Sequence, residues 1–135
     1  MPMPGNTRSI LIVEDHPVLR KLLVTIARRT GLDVDEARDG VEALELLSAT
    51  SYALVVLDLM LPRLSGHDLL HRMASGEHQQ RVVLVTAASD EEIEQVRSST
   101  VVDVVRKPFD IGELEELMLS ALKAEESKAD RAREA

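Results

Sequence analysis

The feature that most constrains this chain is a set of short aliphatic blocks that return at regular intervals. They are Ser9–Val13, Leu32–Glu36, Ala53–Leu57, Arg81–Thr86 and Val101–Val105. The blocks ILIV, ALVVL and VVLV are continuously apolar, a pattern that suits parallel strands covered on both faces. LDVDEA alternates and reads as a more exposed edge strand. The fifth block is Val-rich but interrupted by Asp103, and it reads as the opposite edge. Amphipathic stretches with helix-start signals lie between the blocks. Pro17 suits a first helical turn, and Val18, Leu22, Leu23 and Ile26 follow at helical spacing. Asp39, Ser89 and Asp110 each stand three residues before a Glu, where a side-chain oxygen can accept from an otherwise unpaired amide. A third helix is expected to open near Gly66, after the turn Leu61–Ser65. Five β–α alternations with short loops predict one doubly wound, five-stranded parallel sheet with helices on both faces, a (βα)5 three-layer α/β/α fold.

Composition narrows the function classes. The length of 135 residues suits one ordinary domain, and its core must be aliphatic because Tyr52 and Phe109 are the only aromatic residues. Cysteine is absent, which excludes disulfides, zinc–thiolate sites and thiol chemistry. No apolar run approaches the ~18–20 residues that span a bilayer. MPMPGNTRS does not resemble a secretion signal, so a cytoplasmic address without membrane contact is expected. Sixteen basic against 24 acidic residues leave a net charge of −8, which disfavours direct nucleic-acid binding. We expect residues 1–8 to be disordered, 9–123 to form the domain, and 124–135 to be a charged helical extension or tail.

In an open parallel sheet, ligands bind beyond the carboxyl ends of the strands, near the point where the winding reverses. The polar residues there are Glu14 and Asp15 after strand one, Asp58 after strand three, Thr86 ending strand four and Lys107 after strand five. If strands one and three are neighbours, the three acids crowd together. At 4 Å and an effective dielectric of 20, each like-charge pair costs roughly 4 kcal/mol. Such a cluster raises carboxyl pKa values or binds a cation, and hard oxygen ligands at a wet strand end favour Mg²⁺. Lys107 adds a fixed positive charge and Thr86 a hydroxyl. Together they suit a phosphoryl group arriving at a carboxylate, with Asp58 as nucleophile.

Competing readings fail on detail. Glu14–Asp15–His16–Pro17 would repel a flavin phosphate after strand one, and no P-loop or dinucleotide glycine fingerprint is present. An aspartate-nucleophile phosphatase wants a second Asp two residues after the first, where this chain has Met60. His67 and His71 have metal-ligand spacing on the third helix but no evident third ligand, and read as surface histidines, as His16 reads as a helix-start residue.

The pieces ILIVEDHP, VVLDLMLPRLSG, VVLVTA and RKPF, in that order and spacing, resemble the bacterial response-regulator receiver domain over about Ser9 to Lys123. That resemblance implies a flavodoxin-like sheet of order 2-1-3-4-5, an order the chemotaxis member of the family exemplifies. It implies that Asp58 accepts a phosphoryl group from a histidine kinase or phosphotransfer protein. Mg²⁺, with Mn²⁺ able to substitute, would be held by Asp15, Asp58 and the Met60 carbonyl, with Glu14 acting mainly through water. Lys107 would pair with the phosphoryl group through a cis bond to Pro108, and Thr86, beside the small Ala87, would shift to contact it. The output would be altered protein contacts with an unknown downstream partner, from a monomer or weak homodimer and not from a multiple-turnover enzyme.

The sequence departs from the family pattern at three places. Val104 replaces the usual aromatic switch residue, and Thr100–Val101–Val102 replaces a Gly-Ala pair. Met60 and Ala88 cannot orient a hydrolytic water, so slow loss of phosphate is expected. Val104 also motivates the alternative of a receiver-like interaction module that works without phosphorylation.

Overall fold

A computed structural model describes residues 9–75, 80–98 and 100–134, with side chains through Lys123. The chain runs β1 (Ser9–Val13), α1 (Pro17–Arg28), β2 (Asp33–Ala37), α2 (Gly40–Ala49), β3 (Leu54–Leu57), α3 (Gly66–Ala74), β4 (Val82–Thr86), α4 (Asp90–Val96), β5 (Val101–Arg106) and α5 (Ile111–Glu134). All strand pairs are parallel, in the order β2-β1-β3-β4-β5. The expectations for residues 1–8 lie outside the described residues, as do those for the side chains beyond Lys123.

Strand periodicity of two sorts the aliphatic blocks onto two faces. Ile10, Ile12, Leu54, Val56, Val83 and Val85 pack with Leu23 and Ile26 of α1 and Leu114 and Met118 of α5. Leu11, Val13, Val55, Leu57, Val82 and Leu84 face Ala43 of α2, Leu69 of α3 and Ile93 of α4. This explains why β1, β3 and β4 read as unbroken apolar runs. β2 and β5 are the part-exposed edges, as the sequence pattern predicts. Five strand bounds differ from expectation by one residue: β2, β3 and β4 start one residue later, at Asp33, Leu54 and Val82, while Ala37 joins β2 because it pairs with Val13, and Arg106 joins β5 because it pairs with Thr86. Val102 is passed over between the pairs Val82–Val101 and Val83–Asp103, a bulge in the segment that departs from the family pattern.

The caps follow local chemistry. Asp39, Ser89 and Asp110 accept from the amides of Glu42, Glu92 and Glu113. The reciprocal bond, from the cap amide back to the Glu, closes at Ser89, whereas Glu42 turns to the amide and guanidinium of Arg38. His16 caps α1, its Nδ1 accepting from the Leu19 amide. Gly66 opens α3 against the segment leaving β3, because a Cβ there would lie 2.5 Å from Leu59 Cα and 2.7 Å from the Asp58 carbonyl oxygen. The turn before it places Arg63 at φ 68°, with its guanidinium 3.0 Å from Asp39 at the start of α2. After β1 the chain winds outward to β2, then crosses to β3 on β1's other side. That reversal leaves a crevice at the carboxyl ends of β1 and β3.

Candidate functional site

The crevice gathers the residues that the strand ends deliver. Glu14 and Asp15 follow β1, Asp58 follows β3, Thr86 closes β4 and Lys107 follows β5. Main-chain bonds continue the sheet into this region: Asp58 N–H donates to the Val13 carbonyl at 3.2 Å, and Lys107 N–H to the Thr86 carbonyl at 3.0 Å. The Lys107–Pro108 peptide bond is cis, as the resemblance implied.

Carboxylate oxygens of Glu14, Asp15 and Asp58 lie within 4.8 Å of one another. Glu14 and Asp58 are buried, at 1% and 5% exposure, while Asp15 faces solvent. Lys107 Nζ donates to Glu14 Oε1 at 2.7 Å and to Asp58 Oδ2 at 2.8 Å. The other Asp58 oxygen accepts from the Thr86 hydroxyl at 2.7 Å and from the Met60 amide at 3.1 Å. Thr86 Oγ1 in turn accepts from the Ala88 amide at 3.2 Å. Met60 therefore lines the cleft with its main chain, while its side chain is exposed.

The electrostatics follow from burial and this wiring. Burial pushes the Glu14 carboxyl above its usual range, against the opposing pull of Lys107 and of the His16 amide that donates to Oε2. Burial alone would lower the Lys107 pKa, but its bonds to Asp58 and Glu14 outweigh that, and the ammonium is held more firmly charged than usual. Three carboxylates against one ammonium leave two negative charges in a small volume. Hard oxygens and a residual charge of that size suit a divalent cation such as Mg²⁺, with space for waters on the open Asp15 side.

Every site residue picked out in the sequence thus meets in one crevice. His67 and His71 do not: both lie on α3, and among the described residues they form no three-ligand group. Sequence reasoning missed Arg20, whose side chain reaches back from α1 to the carbonyls of Glu14 and Asp15. Its only sequence signal is a position one helical turn beyond His16.

A model of the response regulator receiver domain matches residues 10–119. The chain belongs to that family. This receiver domain is 36% identical over 129 residues to the response regulator protein PilR of Pseudomonas aeruginosa, covering 94% of this chain and 29% of that one. It is 35% identical over 105 residues to the transcriptional regulatory protein SrrA of Staphylococcus aureus, covering 76% of this chain and 43% of the relative. The receiver domain thus spans less than half the length of either relative. Among solved structures, the response regulator TrrA of Thermotoga maritima in complex with Mg²⁺-BeF superposes with a TM-score of 0.75. The two are 30% identical, and the match covers 85% of this chain and 99% of that one. No helix among the described residues is long and apolar enough to cross a membrane.

Proposed function

We propose that Asp58 is the phosphoacceptor of this receiver domain, in a two-component system with a histidine kinase or phosphotransfer protein as donor. The observation that carries the reading is the charge arrangement: Glu14, Asp15 and Asp58 share one 4.8 Å cluster, and Lys107 bridges the two buried acids. Asp15, Asp58 and the Met60 carbonyl would hold Mg²⁺, with Glu14 acting mainly through water. The cation supplies charge neutralisation for the phosphoryl oxygens. That TrrA was captured with Mg²⁺-BeF supports this choice of ion, and Mn²⁺ is expected to substitute.

An Asp58 carboxylate oxygen attacks phosphorus as the phosphorus–nitrogen bond of the donor phosphohistidine breaks, and the imidazole leaves with the electron pair. Both Asp58 oxygens start out engaged, by Lys107 on one side and by Thr86 and Met60 on the other. The step therefore requires Lys107 and Thr86 to pass from the carboxylate to the arriving phosphoryl oxygens. Thr86 carries the change into the β4–α4 connection, where contacts with a downstream protein are made or broken. The domain, residues 9–123, is consumed stoichiometrically as an acceptor and turns over slowly. Neither Met60 nor Ala88 offers a polar side chain to orient a hydrolytic water. A cytoplasmic location and a monomeric or weakly dimeric state fit the same role.

Incubation with acetyl phosphate and Mg²⁺, followed by intact-protein mass measurement, tests the reading. The expected result is one long-lived phosphoryl adduct that vanishes in Asp58→Ala and without the metal. Absence of any adduct on the wild type would favour a phosphorylation-independent interaction module, and sustained release of phosphate would favour a phosphatase.

A further inference from the structure

The three acids of the crevice are not held alike. Asp58 is fixed by Lys107, Thr86 and the Met60 amide, and Glu14 by Lys107 and the His16 amide. Asp15 is exposed, and its carboxylate makes no hydrogen bond or ion pair to the described residues. Its place in the cluster is therefore set by its main chain alone. That main chain is tied to the end of β2 by the Glu14 amide, which donates to the Ala37 carbonyl at 3.1 Å, and beyond that bond it is gripped by one side chain. Arg20 Nη1 donates to the Glu14 carbonyl at 3.0 Å and to the Asp15 carbonyl at 3.3 Å, while Nε donates to Glu36 Oε1 on β2 at 3.1 Å. The Arg20 side chain is only 14% exposed, and its shortest bond, to the Glu14 carbonyl, is part-buried.

We infer that Arg20 is a positioning residue for the cation, clasping the Glu14–Asp15 turn to β2 so that the untethered Asp15 carboxylate stays aimed at the other two. The inference rests on the reading above that this cluster takes Mg²⁺. A guanidinium is suited to the task because its planar fork can serve two carbonyls and a carboxylate at once, which an ammonium on a flexible stem does poorly. Its charge acts the other way. A cation beside a cation site repels the ion, so pure electrostatics and positioning make opposite predictions for the removal of Arg20.

The test is a calorimetric titration of MgCl2 into the metal-stripped full chain, with urea unfolding measured in parallel. Arg20→Ala is expected to weaken Mg²⁺ binding by about 10-fold, the lower end of what loss of an outer-shell partner costs. Arg20→Lys should recover part of that loss. Arg20→Lys, which keeps the charge but not the fork, should still bind more weakly than the wild type, and it keeps the question decidable should Arg20→Ala fail to fold, because charge alone predicts no change there. Unchanged or tighter Mg²⁺ binding in Arg20→Ala and Arg20→Lys would overturn the inference, whether or not the urea midpoint falls. A wild-type chain that binds no Mg²⁺ would instead overturn the metal reading, and this inference with it.

Discussion

Replacing Lys107 with Met in metal-free protein isolates what the ammonium does for the two acids it joins. The substitution removes one bond to Glu14 at 2.7 Å and one to Asp58 at 2.8 Å, at a side chain that is one-fifth exposed. Hydrogen bonds to charged groups are each worth about 1.5–3 kcal/mol, and breaking a buried pair costs about 3–5 kcal/mol because a charge is stranded. Two effects hold the sum below the simple total. Solvent reaches Lys107, and Glu14, already raised by burial, can escape by taking up a proton. We expect a loss of about 3 kcal/mol at about pH 8, a large share of a typical domain's stability. The pH dependence has a definite sign. A carboxyl whose folded pKa lies above its ordinary 4.5 holds its proton more readily folded than unfolded. Without Lys107 to pull it down, the Glu14 carboxyl of the variant is raised further still, so the penalty is full above the variant's folded value and shrinks as the pH falls from there through the wild-type one. At the alkaline end, the wild-type contribution of Lys107 is complete below 10.5 and lost as the pH rises through its raised folded value, a limb the variant lacks. Urea denaturation in EDTA, at constant m, reads all three. An unchanged midpoint at about pH 8, or a penalty that does not shrink as the pH falls towards the ordinary carboxyl range, would refute the claim that stranded buried carboxylates are the source.

Three other outcomes are accessible to the same denaturation assay. Gly40→Ala should cost about 1–3 kcal/mol, because its Cβ would fall 2.0 Å from the Leu64 carbonyl oxygen; equal stability would show that the α2 start is free to move off the β3–α3 turn. Tyr52→Phe should cost about 1 kcal/mol by removing the 2.7 Å bond from the phenol to Asp35 Oδ2, and no loss would mean that water replaces it without penalty. Asp39→Ala should cost about 1–2 kcal/mol, most of it from the cap on the Glu42 amide, since the Arg63 partner is 61% exposed. The Glu42 amide, with Arg63, holds the Asp39 carboxyl below its ordinary 3.8 despite burial. Its contribution should be present above 3.8 and disappear as the pH falls through the lowered value, and a variant whose deficit persists in strong acid would contradict that.

Much of this architecture could be read from the chain because its strands announce themselves by period. ILIV and VVLV have no polar face and must be central, while the crevice between β1 and β3 follows only from the strand order that the family resemblance implies. Residue type then marked the site, since an acid or a lysine directly after a buried strand has nowhere to go but the sheet edge. What remained hidden depends on long side chains whose reach is a tertiary fact. Arg20 looks like any surface arginine on α1 until β2 delivers Glu36 beside it. Tyr52 looks like an ordinary core aromatic until its amide meets Gln80 and its hydroxyl meets Asp35. Nor could spacing tell the closed capping box at Ser89 from the open one at Asp39, because a competing Arg38 decides where Glu42 turns.

The same distinction bears on how this domain could signal with Val104 in place of an aromatic residue. Val104 pairs in register with Leu84 and packs, part-buried, among the core residues on the α2–α4 face. It offers no ring to swing. The route from Asp58 towards α4 is nonetheless short and polar: Asp58 Oδ1 to the Thr86 hydroxyl, Thr86 Oγ1 to the Ala88 amide, and then directly to Ser89, the cap of α4. Two residues beyond Val104 on the strand, Arg106 pairs with Thr86 in register and forms an ion pair with Asp90 in the first turn of α4. A Thr86 hydroxyl that leaves Asp58 must also disturb its bond to the Ala88 amide, next to the residue that starts α4. The helix start is thereby linked to Asp58 by two hydrogen bonds and one peptide link, a connection that includes no aromatic side chain.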